Sequence, residues 1–321
     1  MAVVFVWTVD CGPETEDPQR RLKVTQDETP VLIPLLPRCS RFVAAAAAAA
    51  AVLSLRLSAD QSVAAGETVA RIGAYVEQYY ARAQSIVADE AVTVQPLRRD
   101  MTFDGFPRRL VYELRVEWDP SADGDSPATV TRQLLTVNGR PPRPRDKPEC
   151  LDPRSVSPEP LAFLLPGRRH KYTFTGAGMA RVDGRDAVMV DYRPLDAGKP
   201  TVEWTDDCVT VDVPGRWRGR LWADPESAAV VRLEEQLIGM LDLPVPRKHQ
   251  RNSSAMFITL ERADTSIRYR PVTFRDPDET LTLPLEITSY SMWRNGGSPG
   301  TRVTQSFRNY RRFVTATRIV P

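Results

Sequence analysis

Only two imidazoles occur in this chain of 321 residues, His170 and His249. His170 follows Arg168-Arg169, and His249 sits in a basic stretch. Neither neighbours a Gly-x-Ser-x-Gly or His-x-x-x-His arrangement, so a nucleophilic triad and a zinc site both lack parts. Gly176-Ala177-Gly178 lacks the third glycine of a dinucleotide loop and runs into a strand-like segment. Gly198-Lys199 lacks the hydroxyl residue and the upstream glycine of a phosphate loop. Asp206-Asp207 and Asp278-Glu279 fall in expected turns, where acids bond the local backbone. Glu235 is the one carboxylate in an odd setting. It shares parity with Leu233 and Leu237 in an alternating run, and a β-bulge that returns it to water is the expected account. A hydrolase built on this chain would have to use Glu235. With no catalytic set, metal set or cofactor loop, the chain is expected to be non-enzymatic.

Phe307-Arg308-Asn309-Tyr310-Arg311-Arg312-Phe313 has the residue types that stack on bases or meet lipid headgroups. On a strand, Arg308, Tyr310 and Arg312 would share one face, and an outward row with acidic partners across the strand is expected. The 43 basic and 41 acidic residues leave a formal charge of +2, which argues against a nucleic-acid footprint. The hydrophobic share of 42% and charged share of 26% are those of a globular protein, and the length can bury a large core.

The elements that would position such groups follow from two periods. Over Glu67–Glu90, Val69, Ile72, Val76, Tyr79/Tyr80, Ala83 and Ile86/Val87 recur at three and four, which predicts one long helix packed on a sheet. From Ala91 the period is two. Ala91–Leu97, Arg109–Trp118 and Ala128–Val137 read as strands. Arg140–Glu159 is a proline-rich insert, and Ser157-Pro158-Glu159 opens a short helix, Pro160–Leu165, ended by Pro166-Gly167. Further strands are expected at Lys171–Thr175, Met179–Val182, Ala187–Arg193, Val202–Thr205 and Cys208–Val213. Met256–Glu261 and Ile267–Phe274 make a pair, and alternating runs follow at Leu281–Ile287 and Val303–Phe313. Short loops between so many strands favour an antiparallel meander over βαβ units. The fold class is therefore mainly β (α+β), a large antiparallel sheet of about ten or more strands. A long N-terminal helix and a short second helix cover it.

The hairpin Gly219–Met240 carries a resemblance. Its Gly-x-Leu-Trp-x-Asp-Pro-Glu start (Gly219–Glu226) runs into Val-Val-Arg-Leu-Glu (Val230–Glu234). This resembles the central hairpin of the LolA/LolB/RseB-like periplasmic proteins, outer-membrane lipoprotein carriers and their relatives. The resemblance implies a curved half-barrel over helices, with a concave face for a hydrophobic ligand or a lipoprotein acyl chain. Its RseB-like branch implies the alternative, a sensor of envelope state that binds an envelope protein through a sheet edge or the arginine row. It places no ligand contacts. From parity alone, Tyr79, Tyr80, Tyr112, Leu114, Val116 and Trp118 are the expected lining residues. Side chains could equally fill that face completely.

The N-terminus reads as export machinery. Residues 1–37 have no period and suggest a disordered tail or a start codon placed too early. Arg38 and Arg41 precede an alanine-rich apolar run, Phe42–Leu55, and small residues follow at 63–66, so 38–65 reads as a signal peptide. Cys39 precedes the apolar run and cannot be a lipidated lipobox cysteine. The mature chain, 66–321, would be a single half-barrel domain, periplasmic or secreted. It would keep Cys150 and Cys208, an even pair in an oxidising compartment, and a disulfide between them is expected.

Overall fold

The computed structural model describes residues 65–83, 85–118, 128–146, 148–153, 160–205, 208–250, 256–275, 278–296 and 299–312, with the backbone of 5–8. The expected signal peptide therefore lies outside the described residues except for Ala65. Its elements, in chain order, are β1 (Phe5–Thr8), α1 (residues 65–82), β2 (Ser85–Leu97), β3 (Arg108–Trp118) and β4 (Ala128–Val137). A 3-10 turn (Leu161–Leu164), α2 (Pro166–Arg169), β5 (Tyr172–Val182), β6 (Arg185–Pro194), β7 (Thr201–Thr205) and β8 (Cys208–Asp212) follow. Then come β9 (Trp217–Ala223), β10 (Val230–Leu237), β11 (Leu241–Pro244), a second 3-10 turn (Arg247–His249), β12 (Phe257–Arg275), β13 (Asp278–Arg294) and β14 (Gly300–Arg312).

Eleven strands form one sheet in the order β4-β3-β2-β14-β13-β12-β10-β9-β6-β5, with β11 paired to β12. Every pairing is antiparallel, and the curved sheet does not close. This is the antiparallel meander the alternation predicted, in the half-barrel form the resemblance implied. A second sheet has the order β1-β8-β7, with Phe5–Thr8 laid antiparallel on Cys208–Val211.

Three apolar clusters lie along the large sheet, each with its own cover. The largest joins Val69, Ile72, Val76, Tyr79, Tyr80 and Ala83 of α1 to strands β2–β4, β6, β9, β10 and β12–β14. Leu161, Phe163 and Leu164 of the first 3-10 turn complete it. The second packs Val209 and Val211 of β8 on Trp217, Leu241, Leu243, Ile258, Leu260 and Trp293. The third, at Val92, Val94, Leu110, Tyr112 and Val137, is met by Leu151 of the insert. Such burial, at ~25 cal/mol per Å² of apolar surface, is the main force holding helix, insert and small sheet to the large one.

Several boundaries differ from the sequence expectation. The helix ends at residue 82, and Ser85–Glu90 is strand. Ile86 and Val87 satisfy either period; pairing decides, since Ile86 lies opposite Val116 of β3 and Arg312 of β14. The two expected strands at 171–182 are one, interrupted by a register shift at Gly176/Gly178 where Gly178 takes φ 91°. The pair expected at 256–274 is one continuous strand of 19 residues. Pro166 does not end the short helix. It opens a further helical turn at its first position, where a missing N–H costs nothing. The proposed Ser157 cap lies outside the described residues.

Candidate functional site

The covered face of the sheet carries a polar seam between its two larger apolar clusters. Tyr192 of β6 pairs with Gly219 of β9, Gly219 with Glu235 of β10, Glu235 with Thr265 of β12, and Thr265 with Ser289 of β13. Leu221, Leu233 and Ile267 lie on one side of this row, in the α1 cluster. Trp217, Leu237 and Ala263 lie on the other, against the small sheet. Because side chains alternate, positions two apart share a face, so Glu235 points inward with Leu233. The expected bulge exists but at another place. The register shifts between Val230 and Arg232, which brings Val230 to the core in place of Val231 and leaves Glu235 facing in. Glu235 is 3% exposed, so the expectation that it returns to water fails.

Tyr192 reaches across Gly219 to meet it. The Tyr192 hydroxyl donates to Glu235 Oε1 at 2.7 Å. A Cβ on Gly219 would overlap the Tyr192 ring, so the absent side chain is what lets the phenol cross β9. Among the described residues, Glu235 Oε2 has no hydrogen-bond partner. Burial raises the carboxyl above its ordinary value, only partly opposed by the Tyr192 hydrogen bond. Burial, followed by the Glu235 charge, raises the Tyr192 phenol well above its own. Both groups thus favour keeping their protons. When the carboxyl is protonated and Oε1 accepts from Tyr192, the acid proton falls on Oε2, a buried donor with no partner among the described residues. Leaving such a group unmatched costs ~1–3 kcal/mol.

A second buried glutamate shows the opposite arrangement. Glu90, 0% exposed, sits between the α1 cluster and the insert cluster. Arg132 Nε donates to its Oε2 at 2.6 Å, Arg132 Nη2 to its Oε1 at 3.1 Å, and Gln305 Nε2 to Oε1 at 2.9 Å. This carboxylate is fully matched and structural. The sequence reading missed it because Glu90 was placed at the end of the helix. The alternation Ala88-Glu90-Val92 held the signal.

The cover over the Glu235 seam is aromatic. Phe163 of the 3-10 turn stacks on Tyr192 at 4.4 Å between centroids and lies 5.3 Å from Tyr172 and 6.4 Å from Phe174. The turn comes close to α1 because Gly73 has no Cβ, which would lie 2.6 Å from the Leu164 carbonyl oxygen. α1 itself is tied to the hairpin loop by Arg71, which donates to the carbonyls of Pro225 and Glu226 at 3.0 Å each. Tyr75 donates to Thr282 at 2.9 Å.

The expected lining residues fall in two places. Tyr79, Tyr80, Leu114 and Val116 are buried in the α1 cluster. Tyr112 is buried in the insert cluster, where burial, then the charges of Asp152 and Glu90, raise its phenol. Trp118 ends β3 with its backbone opposite Ala128, and its side chain lies outside the described set. The Cys150–Cys208 disulfide is present, with Cα atoms 5.4 Å apart, and pins the insert to the start of β8. The arginine row is broken. A register shift between Arg308 and Arg311, with Asn309 at φ 52°, turns Tyr310 to the core, where its hydroxyl donates to the Pro284 carbonyl at 2.6 Å. Arg311 faces Asp89 and Glu113, while Arg312 meets Glu279 and the carbonyl of Arg82. His170 is exposed, and His249 stacks on Trp204 at 5.3 Å.

No protein-family model matches the chain, and no curated protein is detectably similar to it in sequence. Among solved structures it is similar to a DUF1329 family protein from Desulfovibrio piger, at 11% identity and a TM-score of 0.39, over 80% of this chain and 95% of that one. It is similar to a domain described as outer membrane lipoprotein-sorting from Vibrio parahaemolyticus, at 9% identity and a TM-score of 0.37, over 76% and 93%. A LolA superfamily protein from Nitrosomonas europaea matches at 10% identity and a TM-score of 0.30, over 77% and 94%.

Proposed function

We propose that this chain is an exported, non-catalytic protein that holds a hydrophobic ligand against the covered face of its large sheet. The ligand class is a lipid or lipoprotein acyl chain. The observation that carries the reading is the cover. The largest apolar cluster is closed by one helix and one 3-10 turn, and the hydrogen bonds from α1 to the sheet include those of Arg71 to the Pro225 and Glu226 carbonyls, of Tyr75 to Thr282 and of Arg312 to the Arg82 carbonyl. Lifting α1 would uncover Leu114, Val116, Leu221, Leu233, Ile267 and Leu283 as one apolar field, suited to an alkyl chain. In this reading Tyr79 and Tyr80 contact the chain from the helix side. Tyr112 extends the lining along β3 toward the insert cluster. The Cys150–Cys208 bridge fits an oxidising compartment and supports export by a signal peptide at 38–65.

The test is direct. Native protein from the periplasm is extracted under denaturing conditions, and the extract is searched by mass spectrometry for acyl lipids. Refolded, delipidated protein is then titrated with 1-aminoanthracene, and 1-dodecanoylglycerol is used to displace it. Stoichiometric lipid and displacement are expected. A folded protein that binds neither compound overturns the reading.

One observation favours a second reading, a module that binds an envelope protein at a sheet edge. The β8 edge accepts an added antiparallel strand, Phe5–Thr8. Recovery of one envelope protein by cross-linking from Thr210, with Arg308→Glu and Arg312→Glu having no effect, would support it and remove the arginines. An enzyme acting through Glu235 would lose its activity in Glu235→Gln, and a retained activity ends that idea.

A further inference from the structure

The unmatched oxygen of Glu235 and its surroundings specify a ligand chemistry more narrowly than an apolar face does. Three observations converge. The carboxyl is on the covered face, 3% exposed, in the seam between two apolar clusters. Its Oε1 is already engaged by Tyr192 at 2.7 Å. Its Oε2 meets no hydrogen-bonding group among the described residues. Glu90, on the same face, has both oxygens matched by Arg132 and Gln305. The fold thus matches both oxygens of one buried glutamate and, among the described residues, only one oxygen of the other.

The partner that fits Oε2 is an acceptor without charge. A second carboxylate or a phosphate would bring an anion into an apolar seam, with no cation to match it in the row Tyr192–Gly219–Glu235–Thr265–Ser289. A neutral carbonyl oxygen attached to an alkyl chain brings one acceptor and no charge, and its chain can occupy the neighbouring apolar cluster. We propose that Glu235 Oε2 is the anchor for the carbonyl oxygen of an acyl ester or amide whose alkyl chain lies under α1. The inference rests on the hydrophobic-ligand reading above and adds the head group that the site selects. Tyr192 is a positioning residue: it holds Oε1 and so aims Oε2.

A matched pair of probes tests it. 1-Dodecanoylglycerol and 1-O-dodecylglycerol share chain and glycerol head and differ by the carbonyl. Each displaces 1-aminoanthracene from the delipidated full-length mature protein. The wild type is expected to bind the acyl compound about tenfold more tightly than the ether. Glu235→Gln retains an N–H donor and keeps the preference. Glu235→Leu reduces it to below about twofold. A second measurement needs no variant. The infrared band of 1-dodecanoylglycerol labelled with carbon-13 at the carbonyl should be single, narrow and at the hydrogen-bonded frequency when bound to wild type. Equal binding of the two probes, or a bound band at the frequency of a carbonyl in dry hydrocarbon, overturns the anchor and leaves the hydrophobic-ligand reading standing. Binding of neither probe overturns both.

Discussion

Tyr192 crosses a whole strand to reach Glu235. The two lie on β6 and β10, with β9 between them, and the hydroxyl-to-carboxyl distance is 2.7 Å. Neighbouring strands are ~4.8 Å apart, so a phenol lying flat over one glycine spans the gap that two adjacent side chains would otherwise fill. The pair therefore depends on a third residue that contributes no atoms to it.

That dependence predicts the effect of Gly219→Ala. The new methyl overlaps the Tyr192 ring, which must swing away from Glu235 and from Phe163. Overpacking plus the lost hydrogen bond should destabilise the fold by about 2–3 kcal/mol in urea unfolding. In a Tyr192→Ala background the same substitution should be nearly neutral, because the obstacle is gone. Equal costs in both backgrounds would show that Gly219 matters for its backbone and not for the crossing.

Glu235 should also give stability a dependence on pH. Its carboxyl is raised in the folded protein, chiefly by burial, above an unfolded value of ~4.3. The unfolded chain then releases its proton first. The contribution is complete below the unfolded value and is lost as pH rises through the folded one, with a slope of up to ~1.4 kcal/mol per pH unit. Asp224 has the opposite sign, since hydrogen bonds from Ser227 hold it low and its contribution is lost as pH falls. Subtracting the Glu235→Gln profile from the wild-type profile isolates the first effect. A difference that is flat from pH 4 upward would contradict a buried neutral acid.

Much of this arrangement could be read from alternation, and the unread parts have specific causes. The antiparallel meander and the β9–β10 hairpin followed from period two, the half-barrel curvature came from the resemblance of that hairpin, and the shared parity of Glu235 with Leu233 was visible but was expected to be undone by a bulge. The bulge was expected at the right strand but displaced, because Val230 and Val231 are equally apolar and only pairing with Ala223 and Trp222 chooses between them. The helix was drawn too long because Ile86 and Val87 serve either period. The Tyr192–Glu235 contact spans 43 residues and depends on an empty position, which leaves no local signature. The disulfide was legible from export and from an even count. The separate small sheet was not, since β7 and β8 read like any other hairpin.

The Glu90–Arg132 pair gives a contrasting prediction. Both side chains are buried, at 0% and 6% exposure. Arg132→Met leaves a carboxylate in the core with Gln305 as its one remaining partner among the described residues, and should cost about 3–5 kcal/mol. Adding Glu90→Leu removes the stranded charge, and the double variant should recover most of that loss. Chemical denaturation of the three proteins decides it. A double variant as unstable as Arg132→Met would mean that the pair's worth lies in its specific hydrogen bonds, Gln305 included.

Cys208→Ser removes the link between the insert and β8. The two cysteines are 58 residues apart in sequence. For a loop of this length the chain-entropy model gives about 4 kcal/mol of stabilisation. The variant should melt at a lower temperature and leave Cys150, which is 8% exposed, slow to alkylate until the insert opens. Non-reducing mass spectrometry of wild-type digests should show the two peptides joined. Two freely alkylated thiols in periplasmic protein would refute the bridge and weaken export with it.

The last prediction concerns the cover. Arg71 sits on the exposed side of α1 and holds the Pro225 and Glu226 carbonyls. Exposed hydrogen bonds of this kind contribute little, so Arg71→Ala should change global stability by less than about 1 kcal/mol. Local opening is another matter, because α1 is attached to the sheet by its apolar stripe and by such surface contacts. Amide exchange across 65–82 should therefore speed up several-fold in Arg71→Ala, while amides of β13 stay as in wild type. If α1 is the gate for the ligand, 1-aminoanthracene should also associate faster, with little change in its equilibrium affinity, since tether loss eases entry and exit together. Gly73→Val is the opposing control, because its branched side chain meets the Leu164 carbonyl and should lower global stability outright. Faster exchange without faster association would leave α1 a loose cover and place the entrance elsewhere. Unchanged exchange would show that the apolar stripe alone holds α1 shut.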